Sequence, residues 1–181
     1  MKLSRSQRRQ LQNSSPQMRS SLPIVFLNIY DLSPLNKYLR FLGLQILHTS
    51  IEVYGNDYNF VGGIGIVRTE SRVAPFAGAR FKRCIPLART DLNPEEVEQI
   101  VCSLGGDFAG QAYNVVAFNC NHFSSALAYA LCGVQIPRSI NRLARCVKCL
   151  SCCIDLNRFS LSALTGENDL VDLDDVNLEE L

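Results

Sequence analysis

The residues best suited to chemistry in this chain are Cys120 and the two histidines of the sequence, His48 and His122. A thiol hydrolase needs a thiolate and a base within hydrogen-bonding reach of each other. A thiolate is favoured at a helix N-terminus, where unpaired N–H groups and the helix dipole stabilise negative charge. Cys120 follows Asn119, a typical capping residue, so we expect the thiol in the first turn of a helix. The same N–H groups would suit the oxyanion of a tetrahedral intermediate.

The positions of the two histidines decide which of them can serve as the base. His122 is two residues after Cys120, and side chains two apart on a helix do not face each other. His48 falls in a predicted strand and would reach Cys120 through the fold, so we favour His48. A structural role stays open from spacing alone, because a strand histidine and a free cysteine are commonly inert core residues.

Strands are predicted for the first half of the folded region, which we expect to begin at Pro23. The predicted strands are 24–30, 46–54, 58–61 and 81–87, with a turn over Gly55-Asn56-Asp57 between the second and third. Alternation in the second strand places His48 on one face with Ser50, Glu52 and Tyr54. The other face carries Leu47, Thr49, Ile51 and Val53.

Helices are predicted for the second half. Asn93 and Glu96 form an Asn-x-x-Glu capping box before the apolar stripe of one helix, which ends at Gly105-Gly106. A second helix is expected over 120–132, stopped by Gly133, and a third, basic helix from about Ser139. Strands first and helices later indicate an α+β domain with an antiparallel sheet.

Composition and charge separate the chain into a core and two charged ends. The 181 residues are 47% hydrophobic and 19% charged, enough for one folded domain with tails. Residues 1–22 hold five basic residues and no acid, which predicts a disordered basic leader or, alternatively, a mitochondrial transit peptide. Residues 167–181 hold seven acidic residues and no base, which predicts a disordered acidic tail, either solubilising or partner-binding.

Several classes of protein do not fit this pattern. Residues 23–166 carry 13 basic and 10 acidic residues, so we expect no nucleic acid partner. We also expect no membrane span and no secretory signal, since no apolar run is long enough.

Half of the eight cysteines crowd into Cys146, Cys149, Cys152 and Cys153. Without a secretory signal, reduced thiols in the cytoplasm, and also the nucleus, are the expectation. Inert thiols are the first interpretation of this cluster. The second is S-acylation beside an anionic membrane, since Arg142, Arg145 and Lys148 are close by, which would give weak membrane contact. The spacing is unlike that of structural zinc sites, so we expect no metal and no cofactor.

Two blocks of sequence resemble the PPPDE thiol peptidases, the DeSI-type deSUMOylating or deubiquitinating isopeptidases with a permuted papain fold. The blocks are His48–Gly55 (HTSIEVYG) and Asn119–Ser124 (NCNHFS). Stretches 25–33, 56–63 and 125–144 match as well, so the resemblance covers about residues 24–145. The predicted organisation is a leader over 1–22, a peptidase domain over 23–145, a Cys-rich extension over 146–166 and the acidic tail over 167–181.

The resemblance implies that Cys120 is the nucleophile and His48 the general base of a Cys–His dyad. No third residue is required, although Asn119, Glu52 and Ser50 are candidates to orient His48, and Asn119 is also an oxyanion candidate. Gly62, Gly63 and Gly65 would either border a slot for a narrow Gly-Gly tail or be turn residues. The sequence departs from the family at Ser139, where Trp is frequent, and over 62–75, which looks shorter; both departures lie outside the dyad.

The function implied is a cysteine isopeptidase that removes ubiquitin or SUMO from conjugated proteins. One alternative is a protein S-acyl thioesterase that uses the same dyad. Another is a non-catalytic module that binds ubiquitin-like partners. The resemblance also allows a homodimer.

Overall fold

A computed structural model describes residues 22–151 of the chain. The predicted acidic tail, residues 1–21 of the predicted leader, and Cys152 and Cys153 lie outside the described residues. The described region contains one five-stranded antiparallel sheet of strand order β4-β3-β2-β1-β5. The strands are β1 (Ile24–Asp31), β2 (Leu47–Val53), β3 (Asn56–Val61), β4 (Gly65–Glu70) and β5 (Arg80–Arg89).

The predicted strands are confirmed at three places, and the structure corrects the sequence analysis at two others. β1, β2 and β5 lie within a few residues of their predicted bounds. The predicted turn over Gly55–Asp57 is wrong, because β3 already starts at Asn56 and pairs Asn56 with Val53. The two-residue turn is Tyr54–Gly55, and both residues have positive φ, 53° and 75°. β4 was not predicted; it is an edge strand paired with β3 alone.

The helices lie close to their predicted positions. They are α1 (Asn36–Leu39), α2 (Pro94–Leu104), α3 (Cys120–Cys132) and α4 (Arg142–Ser151), with short 3₁₀ turns at Arg40–Leu42 and Gly110–Ala112. The capping box at the start of α2 is confirmed: the Asn93 side chain accepts from Glu96 N, and Glu96 accepts from Asn93 N. α3 has its predicted bounds, and Gly133 ends it in the left-handed conformation that glycine adopts without strain. α4 begins three residues later than expected.

The apolar core lies on one face of the sheet, where α2 and α3 cover the strands. Its buried members include Leu27, Ile29, Ile51, Val53, Phe60, Val97, Phe123 and Leu127. On α3, Ala128 is buried and Ala130 is exposed. The opposite face carries buried polar residues, among them Asn28, His48 and Asn59. The architecture is therefore the expected α+β class. Within residues 22–151 we find no helix long and apolar enough to cross a membrane.

Candidate active site

The fold brings the His48 imidazole and the Cys120 thiol into contact. His48 is the second residue of β2, and Cys120 is the first residue of α3, 72 positions later. The sulfur lies against the main chain of β2: its Sγ is 4.0 Å from Leu47 O, and the Thr49 N–H also bonds to it. The imidazole and the thiol lie close enough for each to shift the pKa of the other. His48 and Cys120, the residues chosen as base and nucleophile, therefore share one site.

This contact changes the charge state that each group prefers. Burial opposes charge on both groups, but the opposite charge and the hydrogen bond of the partner outweigh burial. The pKa of His48 is raised from its usual range, and the pKa of Cys120 is lowered. A bond from the Thr49 N–H lowers the pKa of Cys120 further. A thiolate beside an imidazolium is the form in which a cysteine is an active nucleophile.

Thr49 holds α3, which begins with Cys120, against β2, which carries His48. Its buried Oγ1 is 3.0 Å from Asn121 Oδ1 and 2.9 Å from Ser124 Oγ, both in the first turns of α3. Thr49 points toward α3 because it alternates with His48 along β2, as the sequence analysis expected. These two contacts fix the start of α3, and with it the sulfur, relative to the backbone of His48.

Asn59 holds the His48 ring from the side of β3. Its Oδ1 is 3.1 Å from His48 Nε2, and both residues are buried. Its amide nitrogen donates to Asp57 O at 3.2 Å and to Thr69 Oγ1 at 3.1 Å, which leaves the oxygen facing the ring. His48 Nε2–H is therefore the donor to Asn59, and Nδ1 is the ring nitrogen left for Cys120.

The residues expected to orient His48 have other partners. Asn119 caps α3: its Oδ1 accepts from Asn121 N at 3.0 Å, and its Nδ2 donates to Val115 O and Asn141 Oδ1. Glu52 accepts from Asn28 Nδ2 and pairs with Arg72 Nε. Ser50 lies beside Tyr30 and Asp57 instead. Asn59, which the sequence analysis did not name, is the side chain bonded to the imidazole, and an orienting role for Asn119, Glu52 or Ser50 stays a prediction.

Asn141 connects the cap of α3 to α4. It directly precedes α4, and its Oδ1 accepts from Asn119 Nδ2 at 3.3 Å and from Asn121 Nδ2 at 3.2 Å. Both donors flank Cys120 in the sequence. The first turn of α3, which contains Cys120, is therefore bonded to Asn141, the residue directly before α4.

His122 completes the cap of its own helix. Its Nδ1 accepts from the backbone N–H of Asn119 at 3.1 Å, the reciprocal half of a capping box. Its ring also stacks near Phe118, with centroids 6.1 Å apart. The side chain thus turns back along the helix start, which agrees with the expectation that His122 does not face the same way as Cys120.

Tyr113 is a second neighbour of the sulfur that the sequence analysis did not single out. Burial, together with the charge of the nearby Cys120 thiol, raises the pKa of Tyr113. Its ring packs on Phe60, with centroids 5.0 Å apart, and on Gly62, where a Cβ would lie 3.2 Å from the ring. Gly63 donates its N–H to Gly110 O at 3.1 Å, so the β3–β4 turn is fixed beside Tyr113.

The dyad is nearly enclosed. Cys120 is 3% exposed and His48 is 2% exposed. Phe76 packs edge-on against the imidazole, with ring centroids 5.1 Å apart at 85°. A surface hollow of about 200 Å³ between Tyr58, Arg68 and Glu95 lies elsewhere and contains neither member of the dyad. The site therefore suits a slim acyl group rather than a bulky side chain next to the reacting carbonyl.

A buried carboxylate lies on the same sheet face as His48. Asp57 Oδ2 accepts from Tyr30 OH at 2.6 Å, and Asp57 Oδ1 has no hydrogen-bond partner within the described region. Burial raises the pKa of Asp57, and the hydrogen bond from Tyr30 opposes this shift in part. Asp57 in turn contributes to the raised pKa of His48.

The clustered cysteines show no metal site where they are described. Cys146 and Cys149 are exposed, free thiols on α4. Residues 22–151 contain no group of three or more His, Cys, Asp or Glu side chains that could hold a metal ion.

Comparison with known proteins places this site in a family. A model of the PPPDE peptidase domain matches residues 24–158. A desumoylating isopeptidase 1 homolog of Caenorhabditis elegans is 38% identical over 127 residues, which cover 67% of this chain and 38% of the nematode protein. A DeSI-like protein of Schizosaccharomyces pombe is 37% identical over 129 residues, 67% of this chain and 64% of the yeast protein.

A third relative matches over a longer stretch. A DeSI-like protein of Arabidopsis thaliana is 32% identical over 166 residues, which cover 88% of this chain and 73% of the plant protein. The chain thus spans less than two thirds of the nematode and yeast relatives but more of the plant relative. With the family model matched over most of its length, this chain belongs to the PPPDE peptidase family.

Proposed function

We propose that the chain is a cysteine isopeptidase that cleaves conjugates of a ubiquitin-like modifier, with Cys120 as nucleophile and His48 as general base. The observation that carries the proposal is the placement of Cys120 against β2 next to His48, its Sγ 4.0 Å from Leu47 O, with the pKa of the thiol lowered and that of the imidazole raised. The name of the nematode relative, a desumoylating isopeptidase homolog, favours SUMO over ubiquitin as the modifier.

The proposed reaction is acyl transfer in two halves. The thiol proton passes to His48, and the Cys120 sulfur attacks the isopeptide carbonyl. The carbon–nitrogen bond then breaks, His48 returns the proton to the departing lysine amine, and a thioester is left on Cys120. In the second half His48 takes a proton from water, the hydroxide attacks the thioester, and the thiolate is released beside the protonated imidazole.

Charge on the tetrahedral intermediate would be met at the start of α3. The positive end of the α3 helix dipole would favour negative charge beside Cys120, although the N–H groups of Asn121, His122 and Phe123 already donate to Asn119. The Tyr113 hydroxyl is a donor next to the sulfur. The sequence analysis named Asn119 as a donor to the oxyanion. Its Nδ2 already donates to Val115 O at 2.7 Å, which makes it a weaker candidate for that role.

The enclosure of the dyad supports a substrate that ends in glycine. A glycine residue has no side chain to clash with Tyr113, Phe76 or the β3–β4 turn, so a Gly-Gly tail would fit where larger residues would not. Gly62 packs against the Tyr113 ring, and Tyr113 in turn lies near Cys120. We propose that Gly62 and Gly63 border this slot.

The order of the catalytic elements supports a circularly permuted papain fold. In ordinary papain-like enzymes the cysteine helix precedes the histidine strand. Here β2, with His48, precedes α3, with Cys120, while the contact between them is kept. The Asn59 amide bonded to His48 corresponds to the asparagine of the Cys–His–Asn arrangement in papain-like proteases.

An activity-based probe tests the proposal. SUMO and ubiquitin, each with a C-terminal electrophile, are incubated with the chain and with two variants. We expect SUMO labelling that is lost in Cys120→Ala and retained in Cys102→Ala, since Cys102 is an exposed cysteine on α2. An acyl-thioester turnover without probe labelling would instead favour the thioesterase, and reversible binding unaffected by Cys120→Ala and His48→Ala would favour the binding module.

A further inference from the structure

One exposed apolar surface of the molecule is left unexplained by the peptidase site. Residues Leu35, Tyr38, Phe41 and Leu42 are large, apolar and exposed, and Phe41 is 78% exposed. Residues 35–42 form one helical stretch, α1 followed by a 3₁₀ turn, that ends at Gly43 in the left-handed conformation. Positions three and four apart lie side by side on a helix, so these four side chains form one surface, called here the 35–42 face.

The 35–42 face is held in place from below. Asn36 is buried between the exposed residues; its Nδ2 donates to Ile46 O at 2.7 Å, and its Oδ1 accepts from Ile46 N at 2.8 Å. Leu35 N donates to Ser33 Oγ at 3.2 Å. Because none of these bonds involves Phe41, a change at Phe41 leaves the support of the face intact.

The face is also positively charged at its rim. Lys37 Nζ lies 4.8 Å from the centre of the Tyr38 ring, and the Arg40 guanidinium lies 4.9 Å from the Phe41 ring. α4 begins next to it, since a Cβ on Gly43 would lie 2.5 Å from Arg142 Nη1. Neither residues 34–46 nor α4 contains an acidic residue. Apolar side chains surrounded by cations that have no ion-pair partner within residues 22–151 fit a partner that is both apolar and acidic.

The chain itself contains a segment of this chemistry. Residues 167–181 carry seven acidic side chains and no basic one, interleaved with aliphatic residues, which are Leu170, Val171, Leu173, Val176, Leu178 and Leu181. We propose that the 35–42 face is the docking site of residues 167–181 of the same chain. Aliphatic residues would cover Tyr38 and Phe41, and carboxylates would pair with Lys37, Arg40 and Arg142.

The chain length between the two parts makes intramolecular docking favourable. Fifteen residues, 152–166, separate α4 from the acidic segment, and a random-coil chain of that length spans about 20 Å on average. α4 starts at Arg142, beside Gly43, and is about 15 Å long, so the face is within reach. Connection within one chain by a short linker gives an effective concentration on the order of millimolar, so even weak docking would be populated. This inference does not depend on the proposed catalytic activity.

A single tryptophan can report on the face, because the chain contains none. In the full chain, Phe41→Trp is compared with Tyr129→Trp, which places a reporter at a 59% exposed position of α3. We expect the tryptophan at position 41 to have blue-shifted emission. Acrylamide should quench it at least about twofold less than it quenches the tryptophan at position 129, if half or more of the molecules are docked. Both differences should disappear at about 0.5 M salt, where surface charge is screened.

A charge-neutralised chain identifies the occupant. Asp172→Asn, Asp174→Asn and Asp175→Asn, combined with Phe41→Trp, should abolish the protection while the far-ultraviolet circular dichroism stays unchanged. The proposal is overturned if position 41 is quenched as readily as position 129 in the unaltered acidic background. It is also overturned if protection increases with protein concentration, which would mean a second copy, or arises only with anionic vesicles, which would mean a membrane.

Discussion

The amide oxygen of Asn59 lies 3.1 Å from Nε2 of His48, and the amide nitrogen of Asn59 is occupied by Asp57 O and Thr69 Oγ1. Because these bonds to β3 and β4 orient the Asn59 amide, its oxygen accepts the hydrogen bond and His48 Nε2–H donates it. An amide held in this way fixes both the ring plane and the tautomer of its histidine. Asn59 acts through His48, so it is a positioning residue of the proposed reaction.

Replacing Asn59 should slow the reaction without removing it. Asn59→Ala deletes one hydrogen bond worth about 1 kcal/mol, so we expect kcat to fall up to about tenfold with KM little changed. Because the bond from Asn59 raises the pKa of His48, the upper limb of the pH–rate profile should move to lower pH. Asn56→Ala, on the same strand but bonded to Tyr54 O, is the matched control. If Asn59→Ala lowered the free energy of unfolding but left the pH–rate profile unchanged, this result would contradict a positioning role.

The two histidines should respond to substitution in opposite ways. His48→Ala should reduce hydrolysis to background, because the base is lost, while thermal stability changes little in comparison. His122→Ala should keep most of the activity and lose about 1 kcal/mol of stability, since it removes half of the α3 capping box. Turnover and urea unfolding are measured on both variants. An inactive but stably folded His122→Ala protein would show that the base has been assigned wrongly.

Alkylation of Cys120 should report on the ion pair directly. The His48 partner lowers the pKa of the thiol, so the rate of reaction with iodoacetamide should rise at a lower pH than for an ordinary cysteine. In His48→Ala the opposing charge is gone and burial remains, so the same rise should move to higher pH. Peptide mass spectrometry separates Cys120 from the other thiols, and the exposed Cys102 is the internal reference. Identical profiles for the two proteins would argue against the pair.

Asp57 should make the folded state less stable as pH rises. Burial raises its pKa in the folded state, so folding favours the protonated carboxyl. This contribution is fully present below the ordinary pKa of an aspartate and is lost as pH rises through the raised value. Asp57→Asn keeps an oxygen that can accept from Tyr30 OH and has no proton to lose. Urea unfolding at about pH 5 and about pH 7 should give a smaller decrease for the variant than for the parent chain. An equal decrease would place the titration elsewhere.

Local patterns were sufficient to predict the helices and most of the strands. The capping box of α2 and the Asn119–Gly133 frame of α3 depend on residues only a few positions apart, so the sequence displays them directly. β4 was missed because Gly62, Gly63 and Gly65 indicated a loop, and because an edge strand with outward Arg68 and Glu70 lacks a clear apolar run.

The misplaced turn explains why Asn59 was missed as well. A turn over Gly55–Asp57 would pair Val53 with Asn59 and place the amide on the face opposite to His48. In the structure Val53 pairs with Asn56 and Ser50 with Asn59, so the amide shares the face of the imidazole. The two registers differ by three residues, and a shift by an odd number of residues exchanges the two faces of a strand. Tyr54 takes a positive φ that its residue type rarely adopts, and for this reason the sequence did not indicate the true turn.

The bonds of Asn141 give α4 mechanical influence over the nucleophile. Because its oxygen accepts from the amides on both sides of Cys120, a shift of α4 along its axis would first strain these two bonds and then the turn that holds the sulfur. A ligand that displaces α4 would therefore displace Cys120 as well, through the side chains of Asn119 and Asn121. The base, supported by its own hairpin, would stay still, so the sulfur-to-nitrogen distance is the quantity that such a displacement would change.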